Sequence, residues 1–243
     1  MSNPLDETND RAIATSWQKN AKPWAIAVRE GQIDSREQVT NRAIVDAVSE
    51  VLGAMGGERS PQTVLDIGCG EGWLVRALAA TGAQVTGVDG EPALIEQARE
   101  ADGADFYVMT YEELAAGQLN IRVDVAVCNF SLIGKGSVDG LLRIMPTLLN
   151  PQGALVIQTL HPVVTCRDEP YVEGWRSGSW AGFSDSFTDP APWYFRPIQS
   201  WVALLHRSGF RLQEIREPLH PKTQQPVSMV FVARVASECR GDT

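Results

Sequence analysis

Between Thr63 and Leu160, short runs of Val, Leu, Ile and Ala alternate with stretches of helical period, a rhythm that reads as successive βα units. Strands are predicted at Thr63–Ile67, Gln84–Val88, Phe106–Met109, Val123–Cys128 and Ala154–Leu160. "VDVAVC" is apolar nearly throughout, as a strand covered on both faces should be. Helices are predicted at Trp73–Ala80, at Pro92–Glu100, which a proline opens, and at Leu141–Leu149, which the turn signal "NPQG" ends. Strands alternating with helices imply a mainly parallel sheet with right-handed crossovers. The rhythm breaks over Val163–Pro197 and resumes with a helix at Ile198–Arg207 and strands near Phe210–Arg216 and Ser228–Ala233. Upstream, Arg11–Val51 reads as two or three helical pieces. The expected organisation is one structural unit: a helical cap over residues 1–62 and an α/β domain over 63–243 that carries residues 163–197 as an insertion.

The chemistry concentrates where the first strand ends. "VLDIGCGEGW" places Gly68, Gly70 and Gly72 between the acids Asp66 and Glu71. Glycines in a strand-to-helix turn allow positive φ and let a ligand approach closer than a Cβ would permit. In open α/β sheets that turn lies at the ligand crevice. A dinucleotide site would show G-x-G-x-x-G, yet here the third glycine comes one residue early, and Glu71 sets a negative charge where a pyrophosphate would sit. The P-loop pattern is missing as well. Asp89, at the end of the second predicted strand, can accept both hydroxyls of a ribose or can cap the next helix. Together the residues favour an adenosine that carries an amino-acid-like cation in place of diphosphate. Asp66 either attracts that cation or anchors backbone N–H groups of the turn.

Charge narrows the partners. The net charge is −9, and four of the 21 basic residues are lysines, with no basic run. That excludes a stripe for gripping nucleic acid. The four cysteines Cys69, Cys128, Cys166 and Cys239 form no C-x-x-C pair, which argues against a disulfide framework or a metal site and fits a reducing cytoplasm. The N-terminal "MSNPLDETNDR" lacks the apolar stretch of a signal peptide, and no run is long enough to span a bilayer. A cytoplasmic monomer or homodimer, away from membranes, is expected.

Five segments in order resemble class I S-adenosylmethionine-dependent methyltransferases: "VLDIGCGEG", "VTGVDGEPALIEQAR", "DFYVMTYEEL", "VDVAVCNFSLI" and "LLRIMPTLLNPQGALVIQT". The resemblance covers residues 63–160, and "WYFRPIQSWVALLHRSGF" resembles small-molecule members of the family more weakly. It implies a Rossmann-like, mainly parallel seven-stranded sheet with an antiparallel last strand. It also implies S-adenosylmethionine as cofactor, held by Asp66, Gly68, Cys69, Gly70, Gly72, Asp89 and Gly90, by Thr110 and Tyr111, and by Asn129 and Phe130. Where the family often carries an acid, this chain has Thr110.

Further candidates come from position. Trp17 and Arg36 could close over the cofactor from the N-terminal helices. Trp24, Ser131, Trp180, Trp193 and Arg196 are candidates for holding a small-molecule acceptor, Arg196 competing with a plain ion pair. His161, before Pro162 at the end of the fifth strand, reads as a general base or as an ordinary strand end. Eight aromatics between Tyr171 and Phe195 make either a lid or a satellite core. Three rival functions stand beside methylation of a small molecule. They are an RNA or protein methyltransferase, a non-catalytic S-adenosylmethionine-binding regulator and an NAD oxidoreductase. "CNFSLI" lacks the Asn/Asp-Pro-Pro-aromatic pattern of enzymes that methylate nucleic-acid amines.

Overall fold

A computed structural model describes residues 3–55, 61–101, 104–166 and 168–236; Cys239 and the first two residues lie outside them. The chain opens with α1, Pro4–Arg29, which starts well before the expected Arg11. The start signal is local: the Asn3 side chain accepts from Leu5 N–H, Pro4 occupies the first turn, and Asp6 and Glu7 face the positive helix end. A π-helical turn at Arg36–Thr40 leads directly into α2, Asn41–Ala54.

Then come β1 (Thr63–Ile67), α3 (Trp73–Ala79), β2 (Gln84–Asp89), α4 (Pro92–Glu100), β3 (Asp105–Val108), α5 (Tyr111–Ala115) and β4 (Val123–Asn129). After α6 (Gly136–Ile144) a 3-10 turn at Met145–Leu148 takes the place of the last expected helical turn, with Pro146 in it. The strand β5 runs Leu149–Leu160, longer than expected. Val123 pairs with Leu149 but Val125 with Ala154, so Asn150–Gly153 is accommodated as a bulge inside the strand, with Gln152 at φ 67°.

The insertion is more ordered than its composition suggests. It holds α7 (Pro162–Cys166) and a hairpin of β6 (Gly174–Arg176) with β7 (Trp193–Phe195). Then α8 (Ile198–Arg207), β8 (Phe210–Arg216) and β9 (Ser228–Val235) complete the chain.

The main sheet has the order β3-β2-β1-β4-β5-β9-β8. All pairs from β3 to β5 are parallel, while β9 runs antiparallel between β5 and β8. The expected antiparallel last strand is therefore an interior one. Helices cover both faces, Ile44, Leu74 and Ile95 packing on one and Leu114, Leu141 and Leu204 on the other. Strand order reverses between β1 and β4, so their carboxyl ends diverge and leave a crevice there.

Candidate functional site

The three glycines after β1 do three different jobs. Gly68 has φ 76°, and a Cβ there would lie 2.3 Å from Ser131 Cβ, so it lets β1 and the tip of β4 close on each other. Gly72, φ 83°, faces Phe106 and Ala98 and serves packing. Only Gly70, φ 58°, looks into open space, with Trp24 Nε1 3.6 Å from its would-be Cβ. Of the three glycines expected to clear room for a ligand, Gly70 is the one with open space before it, and Gly68 shapes the wall.

The turn is tied down from β2. Gly68 and Cys69 N–H donate to Val88 O, and Gly70 N–H donates to Asp89 Oδ2 at 2.8 Å. The other Asp89 oxygen accepts from Glu91 N–H at 2.9 Å, and it is Glu91 that caps α4. Burial raises the Asp89 pKa, with these backbone donors opposing the shift. Cys69 turns its buried thiol towards Gly87 and away from the crevice, and burial pushes that thiol well above its usual range.

A cavity of about 900 Å³ opens over this turn, at the upper end of ordinary ligand clefts. Its floor is Gly68, Gly70, Asp89 and Gly90, and its far wall is Asn129, Phe130 and Ser131 at the tip of β4. Thr110 and Tyr111 border it from α5. Thr110 is the cap of that helix, trading hydrogen bonds with Glu113. Phe130 adopts φ 53°, a costly conformation for a bulky residue, at the cavity edge. Asn129 Oδ1 accepts from Gln158 Nε2 at 2.8 Å, which leaves the Asn129 amide N–H groups as its free donors. Gln158 is itself fixed by Thr40 O and the Ser228 hydroxyl.

One face of α1 roofs the cavity. Glu7, Asp10, Ala14, Trp17 and Trp24 recur there at helical spacing. Of these only the two tryptophans were legible in advance. Asp10 is the residue that sequence reasoning passed over: it accepts Lys135 N–H at 2.9 Å and Ser137 N–H at 2.7 Å, which ties α1 to the start of α6. Nothing local announced it, since the partners lie more than a hundred positions away.

Two further predicted cofactor residues, like Cys69 and Gly72, lie buried rather than on the cavity surface. Asp66 has no hydrogen-bond partner on either oxygen, and burial together with the nearby Asp89 charge raises its pKa to about 8. Arg36 stacks over Trp24 and Trp73, has an unpartnered Nη2, and is lowered to about 10 by burial. Glu71 does not face the crevice as expected. Its buried carboxylate meets Arg29 at 3.1 Å and Arg76 at 2.7 Å, so its charge is answered inside the protein.

Several candidates fall elsewhere. His161 does not reach the cavity: its Nε2 pairs with Glu217 Oε1 at 2.7 Å, and Val164 N–H points at Nδ1 from 3.4 Å. Because α7 begins at Pro162, its first turn draws the ring back beneath itself. Arg196 is buried between Tyr194 and Trp201, its Nη2 3.4 Å from Asp139, so the ion-pair reading prevails. Trp193 borders a separate void of about 20 Å³ beside Arg196.

Trp180 stacks edge-on against Trp17 at 6.0 Å and packs on Phe183 and Phe187, outside the main cavity. The aromatic segment grips α1 from another face through Ser16 and Asn20, which bond the backbone of Asp189 and Thr188. It braces the roof instead of forming it. Among the described residues, no group of three His, Cys, Asp or Glu side chains is placed to hold a metal, and no helix is long and apolar enough to cross a membrane.

With this geometry in view, the kinship is clear. The family model described as a methyltransferase domain matches residues 35–215, and the chain belongs to that family. Its fold is that of the S-adenosylmethionine-dependent class. A Methanosarcina mazei S-adenosylmethionine-dependent methyltransferase superposes with a TM-score of 0.61 at 20% identity, over 77% of this chain and 98% of that one. The Burkholderia thailandensis 1,6-didemethyltoxoflavin N1-methyltransferase, solved with that compound and S-adenosylhomocysteine, gives 0.64 at 17% identity, over 98% of this chain and 92% of its own. In sequence, the ubiquinone biosynthesis O-methyltransferase of Xanthomonas campestris pv. campestris is 37% identical over 103 residues, 40% of this chain and 43% of that protein. The malonyl-[acyl-carrier protein] O-methyltransferase of Pseudescherichia vulneris is 29% identical over 152 residues, 63% of this chain and 55% of that protein. The chain spans about half the length of these curated relatives.

Proposed function

We propose that the protein transfers a methyl group from S-adenosylmethionine to a small-molecule acceptor. The observation that carries this reading is the extent of the cavity. It begins at the glycine turn beside Asp89 and continues past the tip of β4 to α1 and α6, about 900 Å³ in all. The cofactor fits the groups present. Asp89 keeps lone pairs free for ribose hydroxyls, and Gly70 leaves the close approach an adenosine needs. Arg36, buried and under-bonded beneath the turn, carries a charge that complements an amino acid's carboxylate, and Asp66 beside it gives up its proton when an ammonium is placed against it. When bound, the sulfonium supplies an electrophilic methyl group.

The protein's own work is then alignment and exclusion of water. The α1 roof closes the cavity, and Asn129, its amide fixed by Gln158, offers N–H donors at the wall between the two halves. We assign His161 no part in the transfer, since its ring lies outside the cavity and is engaged by Glu217. Cys69, Cys128 and Cys166 are free thiols in the interior, which supports a reducing, cytoplasmic setting.

Titration calorimetry tests the cofactor: S-adenosylmethionine and S-adenosylhomocysteine should bind, and NAD should not. A methylation screen of a metabolite extract, read by mass, then tests transfer. NAD binding more tightly than S-adenosylmethionine would overturn the reading.

A further inference from the structure

The acceptor half of the cavity is built against negative charge. Glu7 and Asp10 from α1 and Glu112 from α5 line the cavity, and Arg11 is the one basic residue among the described lining residues. The first turn of α6 also opens here, and a helix start is a natural dock for a carboxylate or phosphate. In this chain the dock is already filled: the N–H groups of Lys135 and Ser137 donate to Asp10. An acceptor bringing its own anion would meet the carboxylates of Glu7 and Glu112 and find the helix start spent on Asp10.

The same wall offers no base for a hydroxyl. Among the described residues that line the cavity there is no His, Lys or Cys. The Tyr111 hydroxyl donates to Ser131 O, and the Ser131 hydroxyl donates to Ile67 O. A carboxylate of ordinary pKa lies several units below a phenol or alcohol, so it is a poorly matched base for one near neutral pH. What carboxylates do well is stabilise positive charge that develops beside them.

We infer that the acceptor is an uncharged molecule methylated on a weakly basic nitrogen, an aryl amine or a ring nitrogen, which the acidic acceptor half selects over phenols and carboxylates. This rests on the methyl-transfer reading and deepens it. In the step, the nitrogen lone pair forms the new N–C bond as the methyl–sulfur bond breaks, with its electron pair going to sulfur. The positive charge passes to nitrogen, next to Glu7, Asp10 and Glu112, and an N–H proton, where there is one, leaves to water. An alkylamine fails because the same carboxylates would hold it protonated, without a lone pair. Trp17 supplies an aromatic face on the roof for a flat acceptor.

The test uses the full-length protein saturated with S-adenosylhomocysteine and three probes on one ring: 1-naphthylamine, 1-naphthol and 1-naphthoate. Calorimetry should show 1-naphthylamine binding at least about tenfold more tightly than 1-naphthoate, the scale of like-charge exclusion at an interface. The double variant Glu7→Gln, Glu112→Gln, at two exposed positions, should narrow that ratio to within about threefold while S-adenosylhomocysteine affinity holds. With S-adenosylmethionine, mass spectrometry should find methyl on the amine and not on the naphthol. Naphthoate binding as tightly as the amine, no amine binding, an unchanged ratio in the variant, or a methylated naphthol would each overturn the inference. If S-adenosylhomocysteine itself does not bind, the methyl-transfer reading falls first and takes this one with it.

Discussion

The glycine turn is closed by neighbours in the chain: Gly70 N–H reaches Asp89, 19 positions on, and Gly68 and Cys69 reach Val88. The α1 roof across the cavity is fixed from far away, Asn20 pairing with the backbone of Thr188 across 168 positions and Ser16 with Asp189 across 173. The turn has little slack, because its glycines sit at positive φ, with Ser131 against Gly68 and Phe106 against Gly72. The roof is held by a buried amide, a few aromatic edges and an exposed ion pair. Rigid floor and separately tethered roof suit a site that must grip one ligand and admit another.

The sharpest way to break the comparison is inside the turn. Gly68→Ala puts a Cβ 2.3 Å from Ser131 Cβ at φ 76°, where backbone strain and overpacking add up. A loss of about 3 kcal/mol or more in chemical denaturation is expected, enough to threaten folding. Gly70→Ala meets only Trp24 at 3.6 Å, so it should cost about 1–2 kcal/mol of strain while weakening cofactor binding markedly. Equal stability losses at the two positions would mean that the turn does not divide into a packing glycine and a ligand glycine.

Beneath the turn, Asp66→Asn should separate stability from binding. The native pKa of about 8 lies above the ordinary carboxylate value, so the folded state holds this proton more tightly than the unfolded one. The side chain's contribution is therefore full below about pH 4 and is lost as pH rises towards about 8. The Asn variant escapes that loss, and its advantage in melting temperature should grow from pH 5 to pH 8. Its affinity for S-adenosylmethionine should fall by about 1.5–3 kcal/mol, the worth of a hydrogen bond to a charged group. A variant with wild-type affinity would remove Asp66 from the cofactor site.

How much of this was legible follows the same division. The floor announced itself because its constraints are local: a β-branched run, glycines where the turn needs positive φ, and an acid at the end of the next strand. Even so, the sequence could not say that Gly72 packs against Phe106 while Gly70 faces the cavity, or that Arg29 and Arg76 would neutralise Glu71. The roof was illegible in kind. Asn20 looks like any polar helix residue until Thr188 arrives beside it, and Asp10 until Ser137 does. His161 misled because a strand end was taken to fix a side chain's direction, whereas the helix starting at Pro162 draws the ring back.

Asn20 is the point at which to loosen the roof alone. Its amide is buried, donating to Thr188 O at 2.8 Å and accepting from Thr188 N–H at 2.9 Å. Asn20→Ala should cost about 2 kcal/mol, two net hydrogen bonds with one buried partner left wanting. Hydrogen exchange should speed up in α1 and in residues 180–189 while the strands around the glycine turn keep their protection. Faster exchange in β1 and β2 as well would show that floor and roof are one cooperative unit.

The smallest effect should come from the most visible contact between α1 and its brace. Lys19 Nζ lies 2.6 Å from Asp189 Oδ2, but the two side chains are 49% and 66% exposed. In water the Coulomb gain of such a pair is nearly matched by hydration and by the entropy of holding a long side chain still. Lys19→Ala should therefore change stability by no more than about 0.5 kcal/mol, with any difference fading as salt is raised. The neighbouring backbone contact from Ser16 to Asp189 O stays in place and holds the same residue. A loss near that of Asn20→Ala would mean that charge, and not the buried amide, fastens the roof, and α1 would then be expected to open at high salt.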